Sequence, residues 1–211
     1  MITDIRLAGQ QLAAPRFDTP KKLVSWMGAI QAQDYAMARW AVGIRLKSAT
    51  ARSVGEAFSR GEILRTHVMR PTWHLVAAED IRWMLKLSAR RIRSANESLA
   101  KGRQLELTEQ LHYRCDRLLE KMLEGNRNLT KQQIGEELNR QGIAADTPRL
   151  TRLLMRAETE AVVCSGPFSG GRQTYALLEE RVPPVPELHP DEALAKLATA
   201  YFRSHSPASL Q

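Results

Sequence analysis

Cysteine is scarce in this chain, and the two that occur, Cys115 and Cys164, stand far apart. Neither belongs to a Cys-x-x-Cys pair or has clustered histidines beside it, which excludes the usual spacing of a structural zinc site. Both are expected to be reduced, buried thiols, and no motif implies a metal or an organic cofactor. Long apolar runs are missing as well. No stretch approaches the roughly 18 apolar residues needed to span a bilayer, so no membrane segment is expected. The start, Met1-Ile-Thr-Asp4, has no basic stretch leading into an apolar one, so no secretory signal is visible and a cytoplasmic protein is expected.

Acidic residues are in deficit. Lys and Arg number 31 against 23 Asp and Glu, for a formal net charge of +8 and a pI near 9.9. Such a field retains polyanions by neutralising phosphates, which points to nucleic acid. What is present otherwise is globular: 43% hydrophobic and 26% charged over 211 residues, enough for two small cores.

The pattern along the chain predicts a short helix over residues 3–12, closed by Pro15. A second helix is capped by Asp18 or Thr19, with Pro20 in its first turn and Leu23, Trp26, Met27 and Ile30 at helical steps. A third lies near residues 50–60. Two β-prone runs, 63–69 and 72–76, flank Arg70-Pro71 and predict a hairpin. Residues 79–103 then read as a helix in which Arg82, Lys86, Arg90 and Arg93 fall within about 80° of arc. Residues 82–103 hold seven Lys or Arg against one acid, Glu97.

After Gln104 the pattern restarts, with helices expected over residues 108–123, 131–140 and 147–160. Thr130 and Gln133 form a capping-box signature. The third of these helices sets Arg149, Arg152 and Arg156 beside an apolar arc of Leu150, Leu153, Leu154 and Ala157, as a recognition helix would. Strands at 161–164 and 173–177 flank a Gly-rich loop ending in Arg172. Helix, helix, helix, hairpin therefore occurs twice. The expected fold is mainly α with small β-hairpins (α+β), a tandem of winged helices: residues 1–104, then 105–181. A proline-rich linker follows over 182–190, and residues 191–211 begin a third, incomplete winged helix, which suggests a fragment of a longer protein.

The polar pair Gln31 and Gln33 sits at the end of the second helix's apolar run. Two primary amides converging on one point can hold and orient a water without ionising. Two solvated surface glutamines give the same Gln-x-Gln, so the surroundings decide. On a continuing helix the two would diverge by about 200°, and a shared site requires the helix to end there. Asp34 is expected to cap the following helix rather than to contact the water.

With these features the chain resembles the AlkZ-like DNA glycosylase family of winged-helix DNA-binding proteins. The matching stretches are Gln31-Ala-Gln33, Thr66-His-Val-Met-Arg-Pro-Thr-Trp-His-Leu75 followed by Ala78-Glu-Asp80, and Ser204-His-Ser-Pro-Ala-Ser-Leu210. In the last, Ser206 stands where the family usually has glycine. The resemblance implies a C-shaped tandem that cups double-stranded DNA, a longer complete protein, and a catalytic Gln-apolar-Gln motif at Gln31 and Gln33. It further implies hydrolysis of the glycosidic bond of N7-alkylated or cross-linked purines, as DNA repair of alkylation damage. The DNA-binding residues expected are His67, Arg70 and His74 in the first hairpin, Arg82, Lys86, Arg90 and Arg93, the arc Arg149, Arg152 and Arg156, and Arg172. A monomer associated with the nucleoid is expected.

The alternative from another class is a winged-helix transcription regulator or architectural DNA-binding protein without catalysis, since fold does not imply function. Indifference to Gln31 and Gln33 would mark it. A protein-interaction winged helix is disfavoured by the arginine face.

Overall fold

The computed structural model describes residues 1–208, and these group into two compact units. Unit 1 contains Met1–Arg65, Trp73–Trp83 and the chain from Pro186 onward; unit 2 contains Thr66–Thr72 and Met84–Val185. Both mix helices with a small antiparallel sheet. No helix among the described residues is long and apolar enough to cross a membrane.

Unit 1 opens with α1 (Ile2–Gly9) and α2 (Pro20–Met27). Thr19 caps α2 by accepting from the Lys22 N–H, and Pro20 fits the first turn, where no N–H partner is needed. The helix stops because Gly28 takes φ 77° and ψ −66°, the geometry of a classic γ-turn that a side chain would strain. A two-residue strand, β1 (Ile30–Gln31), follows, then α3 (Tyr35–Gly43), α4 (Ala51–Ser59), β2 (Ile63–His67) and β3 (Trp73–Ala77). The sheet order is β1-β3-β2. Leu23, Val24, Phe58, Ile63, Leu64, Leu75 and Val76 are fully buried and form the core that fixes this sheet against α2 and α4.

The last helix, α10 (Pro190–His205), belongs to the same unit. Its Arg203 lies 4.4 Å from the Trp26 ring centre while Arg16 lies 4.7 Å from it. Arg203 also donates to the Ser25 and Trp26 carbonyls, and the Trp26 indole donates to Gly9 O at 2.9 Å. Trp26 is thus half-buried, with two guanidinium groups against its ring. The expected start of a third winged helix packs within unit 1 up to residue 208; Ser209 and Leu210 of the family-like segment lie outside the described residues.

Unit 2 holds most of the long helix α5 (Ile81–Gly102), then α6 (Glu109–Leu123), β4 (Leu129–Thr130), α7 (Lys131–Arg140), α8 (Thr147–Thr159), β5 (Val163–Ser165), β6 (Thr174–Leu177) and the single turn α9 (Leu178–Arg181). Its sheet order is β4-β6-β5, the same arrangement as in unit 1. Thr108, Thr130 and Asp146 cap α6, α7 and α8, and Thr130 forms a full capping box with Gln133. The core is Leu119, Leu123, Ile134, Leu138, Leu153, Leu154 and Val163. Gly135 permits the close pass of α7 and α8, because a Cβ there would stand 2.9 Å from Leu150 Cδ2. Cys115 and Cys164 are buried and in no disulfide, and burial pushes the Cys115 thiol up to about 12. Packing counts residues 84–104 with this second unit, whereas the order of elements alone places the repeat boundary at 104.

Candidate active site

The break after Met27 that the glutamine pair requires is present: α2 ends at Gly28 and the chain becomes extended before α3 begins. β1 pairs antiparallel with β3, Ile30 opposite Leu75 and Gln31 opposite His74. Ala32 continues the pairing by donating to Trp73 O at 2.7 Å. Burial alternates as exposed Gln31, fully buried Ala32, exposed Gln33. Side chains two apart on extended backbone share a face, so Ala32 anchors the segment and both amides look outward together. Asp34 then accepts from the Met37 N–H at 3.0 Å and caps α3.

Two neighbours hold this segment. Arg65 of β2 donates through Nε to Ala32 O at 2.8 Å and through Nη2 to Gln33 O at 3.0 Å, and its guanidinium lies 4.5 Å from the Trp73 ring centre. The Trp73 backbone N–H donates to Gln33 Oε1 at 3.4 Å. Tyr35 packs on Phe58 and carries Arg39 over its ring. Burial raises the Tyr35 phenol above its ordinary value, against the lowering charges of Arg39 and Arg65, so it stays protonated at neutral pH. Sequence reasoning missed Arg65 and Tyr35. A signal existed for Arg65: it is the one cation inside the apolar run 63–68, where a long charged side chain needs partners.

The residues expected to meet DNA fall into three groups. Lys86, Arg90, Arg70 and Arg172 are exposed; Arg70 sits in the turn between β2 and β3, and Arg172 donates to Gln132 Oε1 at 3.1 Å. Arg82, Arg93 and Arg152 are half-buried, and Arg93 pairs with Glu160 at 3.1 Å. Arg149 donates to Glu106 O at 2.9 Å and faces Asp146.

Three expectations are corrected by burial. His67 is 4% exposed, and its Nδ1 stands 2.5 Å from Oε2 of Glu158, which is fully buried. His74 is 5% exposed, on the middle strand of its sheet. Neither imidazole is offered to a phosphate. The Arg156 side chain is 12% exposed because it holds two carboxylates, Glu109 through both terminal nitrogens at 3.1 and 3.0 Å and Glu160 at 2.8 Å. The α8 arc is therefore in large part an internal charge network.

A family model described as DNA glycosylase AlkZ-like matches residues 24–211. The chain belongs to this family. Among solved structures, the Streptomyces sahachiroi DNA glycosylase AlkZ is similar in fold, with a TM-score of 0.72 and 22% sequence identity. The likeness covers 97% of this chain and 56% of the AlkZ chain, so the chain spans little more than half the length of that relative. A search of curated protein sequences finds no match.

Proposed function

We propose that this chain is the DNA-binding and catalytic part of a DNA glycosylase that hydrolyses the N-glycosidic bond of N7-alkylated or cross-linked purines. The observation that carries the proposal is the outward pair Gln31 and Gln33, held on extended backbone around buried Ala32. Family membership supports DNA repair as the setting. The repeated sheet order, with three or more helices in each unit, supports reading the two units as tandem winged helices on double-stranded DNA.

Alkylation at purine N7 makes the base cationic, so the C1′–N9 bond breaks with its electron pair going to N9 and a neutral base leaves. No strong general acid is needed. Gln31 and Gln33 orient one water toward C1′; the water oxygen forms the new C–O bond, and its proton passes to solvent. Exposed Lys86, Arg90, Arg70 and Arg172 serve as phosphate contacts, each judged within its own unit.

The deciding experiment is incubation of the full-length protein with duplex DNA carrying N7-methylguanine, with free base measured by chromatography. Base release by the wild type, lost in Gln33→Ala, is expected. Release at wild-type rates in the alanine variants would leave a DNA-binding regulator as the better account.

A further inference from the structure

We propose that Arg65 is the positioning residue of the glutamine pair: it draws the Ala32 carbonyl out of the β1–β3 ladder, so that the Trp73 N–H is left to hold the Gln33 side chain. In an antiparallel hydrogen-bonded pair, opposite residues exchange two N–H to carbonyl bonds. Ala32 and Trp73 make one of them, Ala32 N to Trp73 O at 2.7 Å. In place of the second, Ala32 O accepts from Arg65 Nε at 2.8 Å, and the Trp73 N–H turns to Gln33 Oε1 at 3.4 Å. A backbone N–H can be met only by the oxygen of an amide, so this contact also decides which way the Gln33 amide is turned. Its NH2 is then aimed outward, and one lone pair of Oε1 remains for water.

Arg65 suits this task by geometry. It stands on β2, which the middle strand β3 separates from β1, and its side chain reaches across by lying over the Trp73 ring at 4.5 Å. Its planar fork then meets two successive carbonyls, Ala32 and Gln33, on the far side. A lysine has the reach but only a point charge, and it cannot hold two carbonyls in one plane while stacked on the indole.

The inference rests on the glycosylase reading for its consequence in catalysis, and two arms of one experiment separate them. In the first arm, single-turnover release of N7-methylguanine by the full chain is measured with saturating enzyme. Arg65→Ala is expected to slow it about tenfold with the DNA dissociation constant changed less than about threefold, and Arg65→Lys to recover part of the rate. In a Gln33→Ala background, Arg65→Ala should cost less than about twofold more, since the group it positions is gone. Multiplicative losses, a wild-type rate in Arg65→Lys, or weakened DNA binding at an unchanged rate would each overturn the proposal.

The second arm needs no activity. Gln33→Ala is expected to speed hydrogen exchange at the Trp73 amide at least about tenfold in the native background, but less than about twofold once Arg65 is alanine, because Ala32 O then returns to the ladder. Equal acceleration in both backgrounds would refute the ladder exchange; Arg65→Lys serves the same comparison if the alanine variant does not fold. A wild-type protein that releases no base while this exchange pattern holds sinks the glycosylase reading and leaves Arg65's hold on Gln33 standing.

Discussion

Two short strands occupy the same place in two sheets of the same order, and they end differently. In unit 2, Thr130 is both the last residue of β4 and the cap of α7, with Gln133 closing the box at 2.8 Å, so strand and helix meet with no residue between them. In unit 1, Gln31 ends β1, but the cap of α3 is Asp34. Moving the cap three residues past the strand leaves Ala32 to plug the core and Gln33 to face outward beside Gln31. One connection closes a sheet edge with its own hydrogen bonds; the other turns two exposed polar side chains outward. The charged groups differ in a parallel way. Unit 2 turns Arg93, Arg149 and Arg156 onto its own acids and carbonyls.

The sharpest test of that contrast sets the two edges side by side. Gln33→Ala is expected to slow base release at least about tenfold, roughly 1.4 kcal/mol of barrier, with DNA binding nearly intact. Adding Gln31→Ala should cost less than the sum of the singles, since one amide alone positions water poorly. Thr130→Ala in the matching place should leave the release rate within about twofold of wild type. A rate loss equal to that of Gln33→Ala would erase the distinction between the edges.

Next in size is the electrostatic term. Lys86→Gln with Arg90→Gln, both exposed on α5, should flatten the log–log salt dependence of DNA binding by about 2 and weaken all sequences alike. An unchanged slope would remove α5 from the footprint. Smaller still are the caps: Asp34→Ala and Thr130→Ala should each cost about 1 kcal/mol of stability, a fall in Tm of about 2–4 °C by calorimetry. If Asp34→Ala instead slows base release more than about threefold, Asp34 works on the water and is not a cap alone.

An effect of the same size as the caps, present only above pH 4, concerns the internal charges of unit 2. Burial pushes Asp116 up to about 6, opposed by the Arg156 charge. The folded protein therefore holds that proton where the unfolded chain, titrating near 4, has released it, and stability falls as pH rises from about 4 to about 6. Asp116→Asn removes this loss. Its Tm advantage over wild type should be near zero at pH 4 and about 2–4 °C above pH 6.5. An advantage that does not change with pH would place the gain elsewhere.

Much of the fold was legible because it is written in local chemistry. Thr19-Pro20, Thr108 and the Thr130–Gln133 box announce helix starts, and the β-prone runs around Arg70-Pro71 announce β2 and β3. The Gln31–Gln33 spacing also carried its own condition, a break in the helix, and Gly28 supplies it. The residues that hold the pair were not legible in the same way. β1 and β4 are two residues each and exist only as pairings with residues 43 or more positions later. His67 reads as a DNA contact in the sequence, but Glu158, 91 residues away, stands against it; Arg156 reads as a phosphate ligand, but Glu109, 47 residues away, occupies it. By itself the sequence determined which segments become helix or strand, since caps, breakers and periodicity act within a few residues. Only the tertiary structure decided which polar groups remain available, because each such group is claimed by whatever partner folding brings within about 3 Å.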